Sequence, residues 1–355
     1  MRIAVDVSPL SHPRTGIGNY VRGSLAGLVE AAGNRHELIA FAPTSPRGLT
    51  AIPEALAGID VDLRLRFVPF AHFWRQAWSR SGRPPVERFL GPIDVLHYTD
   101  WMYPPQRAGV RSTMIHDLVP IHHPEWVTRR TFRMHGAKYR DAASCSSVFV
   151  NSAYTGRDVV ATLGLDPARV HVAPPGVDPA FRPEGDRADL GGPYVLTVAT
   201  LEPRKNLQVL VEAHTLLGGG FRLAVVGGAG WGEQPALDRP GILRLGRPDD
   251  DELARLYRGA AVVAYPSRFE GFGMPVTESM ASGAPVVASA HPSLDDACGD
   301  AAVRADPESA ESIAAGIREA LDRREELREK GLVHTAGFSW QRTGEIFLEG
   351  YRRFS

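Results

Sequence analysis

Ala261-Val262-Val263-Ala264-Tyr265-Pro266-Ser267-Arg268-Phe269-Glu270-Gly271-Phe272-Gly273-Met274-Pro275-Val276-Thr277-Glu278-Ser279-Met280-Ala281 reads as strand, loop and helix in succession. An apolar, β-prone run ends in a Pro/Ser/Gly loop that carries Glu270, and a Pro-initiated helix follows with Glu278 after seven intervening residues. Strand–loop–helix is the repeating unit of a parallel α/β sheet, whose ligands lie at the carboxyl ends of its strands. Gly271 and Gly273 let backbone N–H groups approach a ligand closely, and Pro275 suits the start of a helix whose N-terminus presents donors to a phosphate. Phe272 and Met274 share that loop. Glu278, one turn into the helix, is placed to accept hydrogen bonds from vicinal hydroxyls, and Glu270 to grip a second polyol. The plainer alternative is a Glu278 that complements the helix dipole and a Glu270 solvated in its loop.

Outward from this segment the same alternation recurs. The chain has 355 residues, enough for two α/β domains of roughly 150–180 residues each. Its 43% apolar and 23% charged residues are those of a globular protein, and a formal net charge of −1 gives no general attraction to nucleic acid. Two cysteines, Cys145 and Cys298, support neither a disulfide framework nor a cysteine-rich zinc site, which fits a reducing cytosol. A strand pattern begins at Arg2, and no apolar run approaches the ~18 residues of a membrane span, so the expectation is a cytoplasmic protein.

Strand candidates in the first domain, residues 1–172, are 2–7, 37–42, 60–68, 95–98, 112–116 and 147–150, and the stretch 16–20 leads into a helix running to about Ala32. Most are short and continuously apolar, as buried parallel strands are. A Pro/Gly-rich stretch, 173–192, is expected to be the linker. The second domain, 193–339, repeats the pattern, with strands at 194–199, 222–226, 242–245, 261–265 and 285–288. Its helices are expected at 206–217, 250–258, 275–281 and 310–322. A terminal amphipathic helix, 340–355, is expected to pack back on the first domain. The fold class is therefore α/β: two tandem Rossmann-like doubly wound domains facing a central cleft.

Four further stretches carry chemistry. Leu201-Glu202-Pro203-Arg204-Lys205-Asn206 puts adjacent cations just after a strand and at a helix start, wrong for the helix dipole and right for a diphosphate. Met114-Ile115-His116-Asp117-Leu118 ends a first-domain strand on a histidine that is either packed or turned to the cleft; Asp117 reads as a cap. Thr15-Gly16-Ile17-Gly18-Asn19-Tyr20 reads as a glycine loop after the first strand, but its spacing is not that of a dinucleotide fingerprint. Residues 70–89, with Phe70, Phe73, Trp74 and Trp78 among arginines, fit either a peripheral membrane contact or a helix with aromatics inward and arginines in water. By contrast, Gly227-Gly228-Ala229-Gly230-Trp231-Gly232-Glu233 is misspaced for a nucleotide loop, and Asp249-Asp250-Asp251 sit where a helix is capped.

Glu-Pro-Arg-Lys-Asn after a strand, the paired glutamates around Gly-Phe-Gly-Met-Pro, and Ala173-Pro174-Pro175-Gly176-Val177-Asp178 together resemble the retaining glycosyltransferases of family 4. The resemblance spans nearly the whole chain and implies the two-domain B fold. It assigns the ribose of a nucleotide-sugar donor to Glu278, the donor sugar to Glu270 and His116, and the diphosphate to Arg204, Lys205 and the 271–274 loop. Gly16 and Gly18 would line the floor of the donor and acceptor sites, and Leu245, Gly246 and Arg247 would read the base edge. An arginine that many members carry five residues before the lysine is Thr200 here, so Arg204 is expected to take its work. No metal and no cofactor are implied, since helix dipole and cations supply the charge. The motif variant leans toward mannosyl- or rhamnosyl-type transferases of bacterial glycans, with GDP-mannose as the first donor and a glycan or lipid-linked acceptor. A nucleotide-sugar epimerase of the same fold and a non-catalytic nucleotide-sugar-binding subunit are the alternatives.

Overall fold

The computed structural model describes residues 1–99, 102–232 and 236–354. They fall into two units, Met1–Gly176 with Ser339–Ser355, and Val177–Phe338.

The first unit runs β1 (Arg2–Asp6), α1 (Gly16–Ala32), β2 (Glu37–Thr44), α2 (Pro46–Ala55), β3 (Asp62–Phe67), α3 (Ala71–Ser81), α4 (Glu87–Leu90), β4 (Val95–Tyr98), β5 (Val110–Ile115), α5 (Val119–His122), α6 (Arg129–Ala142), β6 (Ser147–Val150), α7 (Ala153–Leu163) and β7 (Val170–Val172). Its parallel sheet has the order β3-β2-β1-β4-β5-β6-β7. Central strands such as Val95–Tyr98 and Ser147–Val150 are buried at every residue, which is why they are mostly apolar rather than alternating, with the polar His97 and Ser147 hydrogen-bonded. The edge strand β3 is only partly covered and reads Asp-Leu-Arg-Leu-Arg-Phe accordingly.

The second unit contains β8 (Tyr194–Val198), α8 (Leu207–Leu216), β9 (Arg222–Val226), β10 (Ile242–Gly246), α9 (Asp250–Gly259), β11 (Val262–Tyr265), α10 (Met274–Ala281), β12 (Val286–Ser289), α11 (Asp295–Cys298), β13 (Ala302–Ala305), α12 (Ala310–Asp322) and α13 (Arg324–Thr335). Its sheet, β10-β9-β8-β11-β12-β13, is again parallel. In both sheets the order reverses beside the first strand of the unit, between β1 and β4 and between β8 and β11. That reversal opens a crevice at the strands' carboxyl ends.

The chain's last helix, α14 (Trp340–Arg352), belongs to the first unit. It lies so close to α1 that a Cβ at Gly27 would collide with the Trp340 carbonyl. Phe347 and Tyr351 are buried with Phe149 in the first unit's core, and aromatic burial of this kind contributes about 1.5–3 kcal/mol per side chain. The Pro/Gly-rich stretch 173–192 is not a loose tether. Ala173 N donates to Val150 O at 2.7 Å within the first unit, whereas Val177 N donates to Phe338 O at 3.1 Å and Ala188 N to Arg255 O at 2.9 Å within the second.

Candidate functional site

The second unit's crevice is built by two loops. The one after β8 turns at Pro203–Lys205 and brings Arg204 and Lys205 toward the one after β11, which carries Glu270. Glu270 is not a solvated loop acid: it is 5% exposed. Its Oε2 accepts from Arg204 Nη1 at 2.6 Å, and its Oε1 accepts from Lys205 Nζ at 2.6 Å, Tyr265 OH at 2.9 Å and Ser267 Oγ at 2.5 Å. Its main-chain N–H donates to Ser293 Oγ at 3.0 Å. Lys205 Nζ also donates to the Tyr265 hydroxyl at 2.7 Å, and Arg204 Nε pairs with Glu202 at 2.8 Å.

Electrostatics follow from this packing. Burial acts to raise the Glu270 pKa, but Arg204 and Lys205 outweigh it and hold the carboxyl down at about 2. Burial, with Arg204 beside it, lowers the Lys205 pKa against the opposing pull of Glu270. Two cations and two carboxylates, Glu202 and Glu270, therefore form one network at the point where a doubly wound sheet holds an anionic ligand.

Beyond Glu270 the chain turns into α10 through Gly273, whose φ of 102° is open to glycine and strained for other residues. A Cβ there would also press on Leu294. Helix α10 starts at Met274, with Pro275 in its first turn. Glu278 lies on the buried face, 7% exposed, and accepts from Tyr257 OH at 3.0 Å. Tyr257 reaches it from α9, so the acid is fixed from a second helix.

In the first unit, Gly16 and Gly18 are not in a loop, as the sequence led us to expect. They form the first turn of α1, capped by Thr15, whose hydroxyl accepts from Gly18 N at 3.2 Å. A Cβ at Gly16 would meet nothing within 4 Å, and its φ lies outside the left-handed region, so neither packing nor backbone demands a glycine there. His116 follows β5, with its Nε2 buried and no hydrogen-bond partner for that atom among the described residues. Tyr20 of α1 packs edge-on against the imidazole, ring centroids 5.2 Å apart. Burial first, then the charge of Lys138, lowers the His116 pKa to about 3. The N-cap of α5 is Leu118 rather than Asp117, whose Oδ1 accepts from Val119 N at 3.0 Å in the turn before the helix.

Two family models divide the chain between them, Glycosyltransferase Family 4 over residues 14–181 and Glycosyl transferases group 1 over residues 182–331. The chain belongs to the family 4 glycosyltransferases. Similar proteins include the O-antigen chain mannosyltransferase B of Escherichia coli, 26% identical over 99% of this chain and 100% of that protein. The D-inositol 3-phosphate glycosyltransferase of Nocardia farcinica is 29% identical over 98% of this chain and 88% of that one. Among solved structures, sucrose-phosphate synthase from Thermosynechococcus elongatus superposes with a TM-score of 0.73 at 20% identity, over 99% of this chain and 98% of that one. The fold is thus the glycosyltransferase B fold, and the enzyme takes a nucleotide-sugar donor.

In this glycosyltransferase the remaining expected positions are distributed as follows. Leu245, Gly246 and Arg247 lie at the carboxyl end of β10, where the Arg247 guanidinium rests over Gly228. Asp249 is the N-cap of α9 and accepts from Glu252 N at 2.8 Å, the capping role its sequence indicated. Glu233, at the end of the misspaced glycine run, lies outside the described residues. Helix α3 divides its aromatics: Trp78 is buried on Phe41 and Phe89, while Phe70 and Phe73 are 87% and 74% exposed. Among the described residues no helix is long and apolar enough to cross a membrane, and no His/Cys/Asp/Glu group has the makings of a metal site.

Several contributors escaped the sequence reading. Tyr265 and Ser267 stood inside the opening segment, but only their contact with Glu270 gives them a role. Tyr257, Ser293 and Lys138 come from helices or turns distant in sequence, with no local pattern to mark them.

Proposed function

We propose that this enzyme moves a hexose from a nucleoside-diphosphate sugar to a glycan or lipid-linked acceptor with retention at the anomeric carbon. GDP-mannose is the first donor to test. The observation that carries the reading is the convergence of Arg204, Lys205 and Glu270 at the second unit's crevice, beside the start of α10. In this scheme the diphosphate takes the two cations and the 271–274 amides, which neutralise charge growing on the departing phosphate. Glu270 turns to the donor sugar's hydroxyls, Glu278 to the ribose, and the backbone of Leu245–Arg247 to the base. His116 of the first unit donates to the sugar, and Gly16 lets the ligand approach the α1 N-terminus.

Retention by front-face attack is supported by the state of Glu270. A carboxylate held by four donors and kept near pKa 2 is a poor covalent nucleophile. The leaving diphosphate is then the base that accepts the acceptor hydroxyl's proton as the new glycosidic bond forms. The relationship to a mannosyltransferase of bacterial O-antigen supports the choice of donor.

A thermal-shift panel of nucleoside diphosphates and their sugars identifies the donor, because a ligand at 100 times its dissociation constant adds about 2.7 kcal/mol of stability. Proton NMR of the first-formed product then reads the anomeric configuration. A product of inverted configuration rules out the retaining mechanism, and donor turnover without any acceptor moves the assignment to an epimerase.

A further inference from the structure

Helix α6 is rich in arginine, and Arg129, Arg130, Arg133 and Arg140 are all exposed. Lys138 on the same helix is 2% exposed. Its Nζ donates to Thr99 O at 2.7 Å and to Met114 O at 2.5 Å. Thr99 directly follows β4, and Met114 lies in β5, the neighbouring strand, two residues before His116. Stripping an ammonium of water costs several kcal/mol, and an apolar side chain would fill the same space without that cost. What an apolar residue would not do is bridge two carbonyls at the ends of adjacent parallel strands.

We propose that Lys138 is a positioning residue for the transfer reaction: its ammonium ties the ends of β4 and β5 together and thereby fixes the His116 imidazole against Tyr20. The proposal rests on the reading of His116 as a donor-sugar contact. Among the described residues, Tyr20 from α1 packs on this imidazole, and Lys138 and His135 from α6 and His97 from β4 act on it electrostatically. None is a carboxylate. His97 is itself hydrogen-bonded to Ser112 at 3.0 Å, and burial followed by the Lys138 charge lowers it to about 3, as with His116. The ammonium thus acts on the ring in two ways, holding the strand that carries it and disfavouring its protonation. A neutral ring keeps the choice of donating or accepting toward a sugar hydroxyl; a protonated one only donates.

The test is an NMR titration of the His116 ring signal in the full chain, assigned by its loss in His116→Gln, together with pH profiles of transfer. In the wild-type protein the ring should remain neutral down to pH 5; titration near the ordinary value for histidine overturns the proposal, and this measurement stands even if the variant does not fold. In Lys138→Met the titration midpoint should rise by at least one pH unit. Transfer should fall tenfold or more at pH values below that raised midpoint and less above it, with donor KM changed less than threefold. A folded Lys138→Met with an unchanged midpoint, or with a loss uniform across pH, refutes the link. The double variant should lose no more activity than His116→Gln alone; a further loss also refutes it. If His116→Gln transfers normally, the donor-sugar reading of His116 fails, while the ring titration still decides whether Lys138 governs the imidazole.

Discussion

The two sheets share one topology and put opposite chemistries at its reversal. In the second unit the crevice between β8 and β11 is charged, with Arg204, Lys205, Glu202 and Glu270 paired in one network. In the first unit, the carboxyl ends of β1 and β5 present glycine, a helix capped by the Thr15 hydroxyl and an imidazole kept neutral. Strand order decides where a ligand sits, but the loops after the strands decide which part of it. Charge suits a diphosphate that leaves; neutral donors and open backbone suit a sugar and an incoming hydroxyl.

The largest test of that contrast removes the charge. Lys205→Met leaves Glu270 buried with one fewer partner, and breaking a buried pair from one side costs about 3–5 kcal/mol. Transfer should also fall by about 10²–10³, the usual loss when a group that stabilises developing charge is deleted. Glu270→Gln should separate binding from turnover. Arg204 and Lys205 are both bonded to Glu270, so if they take the diphosphate as proposed, its neutral replacement should bind nucleoside diphosphate at least as tightly while transfer is lost. Calorimetric titration with the diphosphate and a transfer assay read both quantities. Weaker diphosphate binding by Glu270→Gln would mean that the cations do not face that ligand.

A smaller test uses acid. His97 and His116 have folded-state pKa values lowered to about 3 from 6.5, so the unfolded chain takes up protons first as pH falls. Their contribution to stability is complete above pH 6.5 and is lost progressively from there toward pH 3, by about 1.4 kcal/mol per pH unit for each imidazole. Glu270 is a depressed carboxylate: its contribution is complete above the unfolded value of 4.5 and is lost only from there toward pH 2. Between pH 6.5 and 4.5 the first unit should therefore loosen before the second. Hydrogen exchange followed by mass spectrometry across that range resolves the two, and earlier loss of protection in Val177–Phe338 would reverse the expected order.

How far this contrast could be read in the sequence depends on where the information is stored. Buried strands such as Val95–Tyr98 and Ser147–Val150 were legible because both faces are covered and the run is mostly apolar. The three-residue edge strand Val170–Val172 and the Ala-rich Ala302–Ala305 are too short and too weakly patterned to stand out, and Arg324–Thr335 is a charged outer helix with a faint apolar stripe. Arg204, Lys205, Glu270 and His116 were singled out as candidates because charged or ionisable residues just after strands are unusual. Lys138 was not, because one lysine in an arginine-rich helix reads as solvated, and only the fold turns it inward. Gly16 and Gly18 were placed in a loop because glycine is a poor helix former, although Thr15 before them was the available sign of a helix start.

Those glycines supply the subtlest test, since each unit places one at its crevice for a different reason. Gly273 is required by the chain itself: its φ is 102° and a Cβ would press on Leu294, so Gly273→Ala should destabilise the enzyme by about 1–3 kcal/mol. Gly16 is required by nothing in the chain, and Gly16→Ala adds a methyl in open space to a residue already helical. Its stability should stay level or rise by a few tenths of a kcal/mol, because alanine loses less backbone entropy. If Gly16 is there for a ligand's close approach, the same methyl should raise KM or lower kcat several-fold while the melting temperature does not fall. Normal kinetics in a Gly16→Ala enzyme of unchanged stability would remove the α1 N-terminus from the site, and leave the first unit's contribution to His116.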